Sequence, residues 1–113
     1  MNPELRALAR RAVACKGWRW MPGMLHRNRR NATRITEEHA GYSWGGWPDL
    51  SDPLTVLALL LLLREAWGCS NLSVVGTSEG WRIDADGGPV GIRDLHSYQT
   101  EASVLVAALE AAP

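Results

Sequence analysis

The chain has 113 residues, with twelve Lys plus Arg balanced by twelve Asp plus Glu, three His and two cysteines. That length makes one domain over residues 1–113, burying roughly two thirds of its unfolded surface and needing neither disulfide nor metal to fold. A net charge of zero argues against a protein held on nucleic acid by summed cation contacts.

"NPELRALARRAVACKG" carries an Asn2 cap, Pro3 at the first helical position and a stripe of Leu5, Leu8, Ala9, Ala12 and Val13, with Gly17 as the stop. It predicts an amphipathic helix whose outer face bears Arg6 and Arg10. "WRWMPGML" alternates, so Trp18 and Trp20 are expected on one face of a strand and Arg19 on the other, with Pro22-Gly23 breaking or bulging it. A second strand is expected over residues 33–37. "GYSWGGWPDLSDP" then reads as a glycine-rich aromatic loop.

"SDPLTVLALLLLLREAWG" predicts a helix capped by Ser51 or Asp52, started by Pro53 and ended by Gly68. It has two apolar stripes, Val56/Leu59/Leu60/Leu63/Trp67 and Leu54/Leu57/Leu61. A helix apolar on both sides lies at the centre of a domain or meets another chain. The apolar run is about half the ~20 residues of a membrane span, so no membrane association is expected. "LSVVGT", "GWRID" and "PVGIRDL" read as short strands separated by turns at residues 78–80 and 86–88. Thr100 caps a last helix with Ala102, Leu105, Val106 and Leu109 inside. The order α-β-β-α-β-β-β-α predicts an α+β domain, a small antiparallel sheet covered by helices.

Catalytic and metal signatures are missing. His26, His39 and His96 have no ligand spacing, and Glu37-Glu38-His39 lacks the second histidine of a zinc helix. Asp84-x-Asp86-Gly87 begins like a calcium loop, but Leu95 stands where the bidentate Glu belongs, so a hairpin turn is expected. No nucleophile has a base beside it, and Cys15 and Cys69 lack paired spacing. The expectation is a non-enzymatic protein without cofactor or metal. Nothing ahead of the first helix serves as a signal peptide, so a reducing cytoplasm and no disulfide are expected.

Charge is the distinctive feature. Residues 1–36 carry nine cations (Arg6, Arg10, Arg11, Lys16, Arg19, Arg27, Arg29, Arg30, Arg34) and one acid, Glu4; residues 37–113 carry three cations and eleven acids. Such asymmetry points to an anionic partner for the basic part, or to two halves that neutralise each other across the fold. Arg27, Arg29, Arg30 and Arg34 offer planar bidentate donors suited to phosphate oxygens. Trp18, Trp20, Trp44 and Trp47 bracket them, and indole faces stack on bases. With Arg19 these form the candidate ligand site. The alternative places Trp18 and Trp20 in the core and the arginines in a solvated loop. No apolar periodicity includes the four loop arginines, so the fold is expected to survive their replacement.

The blocks "LARRAVACKGWRWMPGM", "PDLSDP", "LREAWG" and "TEASVLVAALEAAP" together resemble a family of small proteins encoded by phages and prophages. The resemblance covers both ends and the Leu-rich helix, roughly half the chain, and departs from the family pattern between His26 and Gly46. The family has no established activity, so the resemblance implies no catalytic or binding residue. It implies a phage or prophage accessory protein in the cytoplasm of a bacterial host, and small phage proteins often act by binding host-defence components. The leading expectation is counter-defence through an anionic, nucleotide-type immune signal. The alternatives are a protein inhibitor of a host defence complex, such as an anti-CRISPR with Trp44 and Trp47 as anchors, or a nucleic-acid module for replication or transcription. A homodimer through Leu54, Leu57 and Leu61 is expected, because monomers seldom leave such a patch exposed.

Overall fold

The computed structural model describes residues 2–40, 44–86, 88 and 91–113. Residues 41–43 of the expected glycine-rich loop, Gly87 of the expected turn, and Pro89 and Val90 of the expected last strand lie outside the described residues. The elements run α1 (Pro3–Val13), β1 (Leu25–Arg27), β2 (Ala32–Arg34), β3 (Trp47–Pro48), α2 (Pro53–Trp67), β4 (Ser73–Thr77), β5 (Gly80–Asp84) and α3 (Glu101–Ala111). Short 3-10 turns occupy Glu37–His39 and Ile92–Asp94. The described residues form the expected α+β class of fold, with helices and strands in the order α-β-β-β-α-β-β-α.

The strands divide into two small antiparallel sheets, β2-β1-β3 and β4-β5. Several boundaries differ from the sequence reading. Trp18 to Trp20 is not a strand; β1 begins after the Pro22-Gly23 turn, where Gly23 N–H donates to Ile35 O and Ile35 N–H to Met24 O. The expected loop supplies the two residues of β3, which pair with β1 in the register His26 to Pro48 and Arg27 to Trp47. This close approach requires Gly46: it has φ +74°, and a Cβ there would meet Arg27 O and stand 2.8 Å from His26 Nε2. In place of a strand, Ile92–Asp94 forms a 3-10 turn. The chain then returns to β5 by Ile83 N–H donating to Leu95 O and a reciprocal pair between Trp81 and Tyr98.

Local signals fix the helix ends. Asn2 accepts from Glu4 N–H at 2.7 Å, Asp52 from Thr55 N–H at 2.9 Å, and Thr100 and Ser103 form a capping box. Gly68 ends α2 in the left-handed region at φ +62°, which Gly adopts without a Cβ penalty.

α3 is the central helix. Val104, Leu105, Val106, Ala108 and Leu109 are all buried among α1, α2 and β5. Small residues such as Ala102 and Ala108 permit the close packing, and Trp67 Nε1–H donates to Ala108 O at 2.9 Å. The main core joins Ala9 and Ala12 of α1, Leu59, Leu62 and Leu63 of α2, Ile83 and α3. A second cluster of Trp20, Met24, Ile35 and Ala58 lies where the hairpin meets α2. α2 therefore does not take the centre: one of its two stripes is core and the other faces out.

Candidate anion-binding surface

β1 and β2 form a hairpin whose four-residue tip is built by Asn28. Its Oδ1 accepts from the N–H groups of Arg30 and Asn31, both at 2.9 Å, and Asn28 N–H donates to Asn31 O. This Asx turn uses Asn where a side chain must substitute for backbone acceptors. It presents Arg29 and Arg30 exposed. Neither has an ion pair or side-chain hydrogen bond among the described residues.

The other loop arginines are engaged within the fold. Arg27 Nε donates to Asp49 Oδ2, and Asp49, only 3% exposed, also accepts from the N–H and hydroxyl of Ser51. Burial works to raise the Asp49 carboxyl pKa, but the bonds from Ser51 and Arg27 outweigh it and hold the group below the usual carboxylate range. Arg34 grips Asp52 with both terminal nitrogens and donates to Gly23 O at 2.9 Å. That hydrogen-bonded pair lowers Asp52 and raises Arg34. The expectation that all four arginines are dispensable for the fold is thus corrected: Arg27 and Arg34 compensate carboxylates beneath the hairpin. Arg19 pairs with Glu65, and Arg11 with Glu110. The four ion pairs among the described residues each join a cation of residues 1–36 to an acid of residues 37–113, so much of the charge asymmetry is internal neutralisation.

The tryptophans do not gather as open stacking faces. Trp20 is 6% exposed; its ring meets Trp18 edge-on at 5.3 Å and His26 at 5.2 Å. Trp44 lies against His26 at 5.0 Å and donates Nε1–H to His39 O at 3.0 Å. His26 donates from Nε2 to Gly45 O, because a carbonyl can only accept, which leaves its Nδ1 buried without a partner among the described residues. Trp18, Trp20 and Trp44 thus line the second cluster, and Trp18 and Trp44 stay half-exposed.

Trp47 stands apart from them. The Arg6 guanidinium lies 4.1 Å above its ring, a cation–π contact. Arg27 is its cross-strand partner and shares its face of the sheet. Arg6 and Arg10, with Pro3 and Ala7, line a cleft of about 240 Å³ beside this contact. Contacts and register thus link Arg10 and Arg6 on α1 to Trp47, and Trp47 to Arg27 at the foot of the Arg29–Arg30 tip, a row of neighbouring arginines in which Arg27 is held by Asp49. The sequence reading missed Arg6 and Arg10 as site residues. Their place on the outer face of α1 was the available signal, but only the packing of β3 on α1 connects them to the hairpin.

A cleft of about 460 Å³ lies between the ends of α1 and α3, lined by Arg11, Cys15, Lys16 and Glu110 among others. Burial raises the Cys15 thiol, and its Sγ lies 3.3 Å from Arg11 O, so it is not an activated nucleophile. Cys15 and Cys69 are free thiols. Among the described residues no three His, Cys, Asp or Glu side chains gather as a metal site, and no helix is long and apolar enough to cross a membrane. Leu54, Leu57 and Leu61 are 52%, 53% and 45% exposed, the exposed large hydrophobics of the described chain. Comparison with protein-family models, curated proteins and solved structures finds no match to this chain.

Proposed function

We propose that this chain is a non-enzymatic phage or prophage accessory protein that counters host immunity in the bacterial cytoplasm by binding an anionic partner. The observation that carries the reading is the uncompensated part of the guanidinium row. Arg29 and Arg30 stand on a hydrogen-bonded turn, while Arg6 lies over the Trp47 indole and lines a cleft with Arg10. Guanidiniums held in this way form bidentate bonds to phosphate or carboxylate oxygens.

The shape narrows the ligand class. Sites that enclose a small molecule measure ~300–1,000 Å³ and bury most of its surface. The cleft beside Arg6 holds about 240 Å³, below that range, and Arg29 and Arg30 are exposed at the hairpin tip. An extended anionic surface fits such a row better than an enclosed free nucleotide, so an acidic face of a host defence complex is the leading partner. A phosphate backbone is the second, favoured by the indole within the row and opposed by the zero net charge.

Co-purification from infected, defence-carrying cells tests the reading. The tagged protein is expected to retain one partner that elutes as salt rises, with absorbance at 260 nm separating nucleic acid or nucleotide from protein. Arg29→Ala with Arg30→Ala is expected to lose that partner. Retention of the same partner by the folded double variant would overturn the assignment.

A further inference from the structure

We infer that the cleft lined by Arg6 and Arg10 is a subsite for one side-chain carboxylate of the acidic partner face, with Trp47 as the platform on which Arg6 rests. The inference rests on the anion-binding reading above and adds where a single anionic group is seated.

The charges at the cleft are unbalanced. Arg6 and Arg10 stand four residues apart on α1, on one face of the helix, and line the cleft with Pro3 and Ala7. Neither guanidinium has an ion pair or side-chain hydrogen bond among the described residues. Like charges at this spacing destabilise a helix, and a carboxylate between them relieves the repulsion. No acid lines the cleft. Glu4, the nearest in sequence, lines a separate cleft with Leu5 and Leu8. Asp49, close to Trp47 in sequence, is already held by Arg27 and Ser51.

The second observation is a pair of donors without acceptors. Four side-chain nitrogens among the described residues are buried with no hydrogen-bond partner, and two of them, Arg6 Nε and Trp47 Nε1, belong to this one contact. A buried N–H without an acceptor is costly, so the contact favours a group that supplies one. Arginine presents Nε–H and a terminal N–H along one edge of its fork, which matches the two oxygens of a carboxylate. When Arg6 turns that edge to a carboxylate in the cleft, its Nε–H gains its acceptor. The Arg6 guanidinium is already seated 4.1 Å from the centre of the Trp47 ring, which lowers the cost of ordering it on binding.

Size and walls select the group. The cleft holds about 240 Å³, under the ~300 Å³ at which sites enclose a whole small molecule, so it fits one group of a larger partner. Pro3 and Ala7 supply apolar wall beside the two forks. That combination suits a carboxylate on a methylene stem, the side chain of Asp or Glu, better than a bare phosphate.

The side-chain N–H signals of Arg6, Arg10 and Trp47, followed by NMR in the isotope-labelled chain, test the subsite. The probes are N-acetyl-aspartyl amide, which carries one side-chain carboxylate, and inorganic phosphate, each added at constant ionic strength. The aspartyl probe is expected to move all three signals together and saturably. Arg11 Nε–H, which donates to Glu110, is expected to stay in place. Arg10→Ala, at an exposed position, is expected to bind the probe about tenfold more weakly. Unmoved signals, a shift shared equally by Arg11, or undiminished binding by Arg10→Ala overturns the subsite. Movement with phosphate alone overturns the carboxylate as its occupant. Arg29→Ala with Arg30→Ala is expected to bind the probe as the wild type does, so the two readings fail separately. Partner retention by that variant overturns the role of the tip, whereas a silent cleft overturns the subsite.

Discussion

Asp52 shows how much one side chain does where the two halves of the chain meet. Its Oδ2 caps α2 through Thr55 N–H and accepts the Thr55 hydroxyl, and its carboxylate receives the Arg34 fork. The Thr55 hydroxyl oxygen in turn accepts Leu25 N–H at 2.8 Å, so cap, hairpin and helix are one hydrogen-bonded unit. Asp52→Ala is expected to destabilise the fold by about 1–2 kcal/mol through the lost cap, read by urea denaturation. The pH dependence has a definite sign. Asp49 and Asp52 are both lowered in the fold, whereas an unfolded Asp titrates near 3.9. Their stabilisation is complete above about pH 4 and is lost as pH falls through the folded values. Thermal melts between neutral pH and pH 2 are expected to show this acid loss, with a shallower slope for Asp49→Asn with Asp52→Asn. An equal slope in the double variant would assign the acid transition to other carboxylates. The cap was legible in the sequence because capping is local. The Arg34 fork was not, since residues eighteen apart meet only after the hairpin folds onto α2.

At the level of elements, the hairpin separates structural from available arginines. Arg29→Ala with Arg30→Ala is expected to change stability by no more than about 0.5 kcal/mol, because both side chains are exposed and make no ion pair or side-chain hydrogen bond among the described residues. Arg27→Ala is expected to cost about 1–3 kcal/mol, because it leaves the buried Asp49 carboxylate with one compensating partner fewer. Urea midpoints of the two variants check the contrast, and equal midpoints would contradict it. α2 was readable end to end, since its cap, Pro53, Leu-rich body and Gly68 all give local signals. β1 was not. The alternation of Trp18 and Trp20 looks like a strand, but their rings instead pack edge-on in the cluster beneath the hairpin. Strand pairing starts only beyond Gly23. β3 is two residues inside a glycine-rich segment, and only its register with β1 reveals it.

Across the whole molecule, charge asymmetry has two origins that composition alone does not separate. Arg11, Arg19, Arg27 and Arg34 neutralise acids of the other half; Arg6, Arg10, Arg29 and Arg30 have no ion pair among the described residues. Lys16 lies in the cleft between α1 and α3, away from the row. The uncovered stripe of α2 was legible because two apolar stripes on one helix are a sequence pattern. The central position of α3 was hidden by its short, alanine-rich sequence, which reads as a terminal helix and packs as the middle of the core. The free guanidiniums are proposed as the surface used against host immunity, and an infection assay reads this out. Bacteria carrying a panel of defence systems and expressing the chain are challenged with a sensitive phage, and plaques are counted. The wild-type protein is expected to restore plating against at least one system. Arg29→Ala with Arg30→Ala removes two charged contacts of about 1.5–3 kcal/mol each, more than 100-fold in affinity, and is expected to abolish the effect at equal abundance. Full protection by the folded double variant, or no protection by the wild type against any system, would contradict the claim.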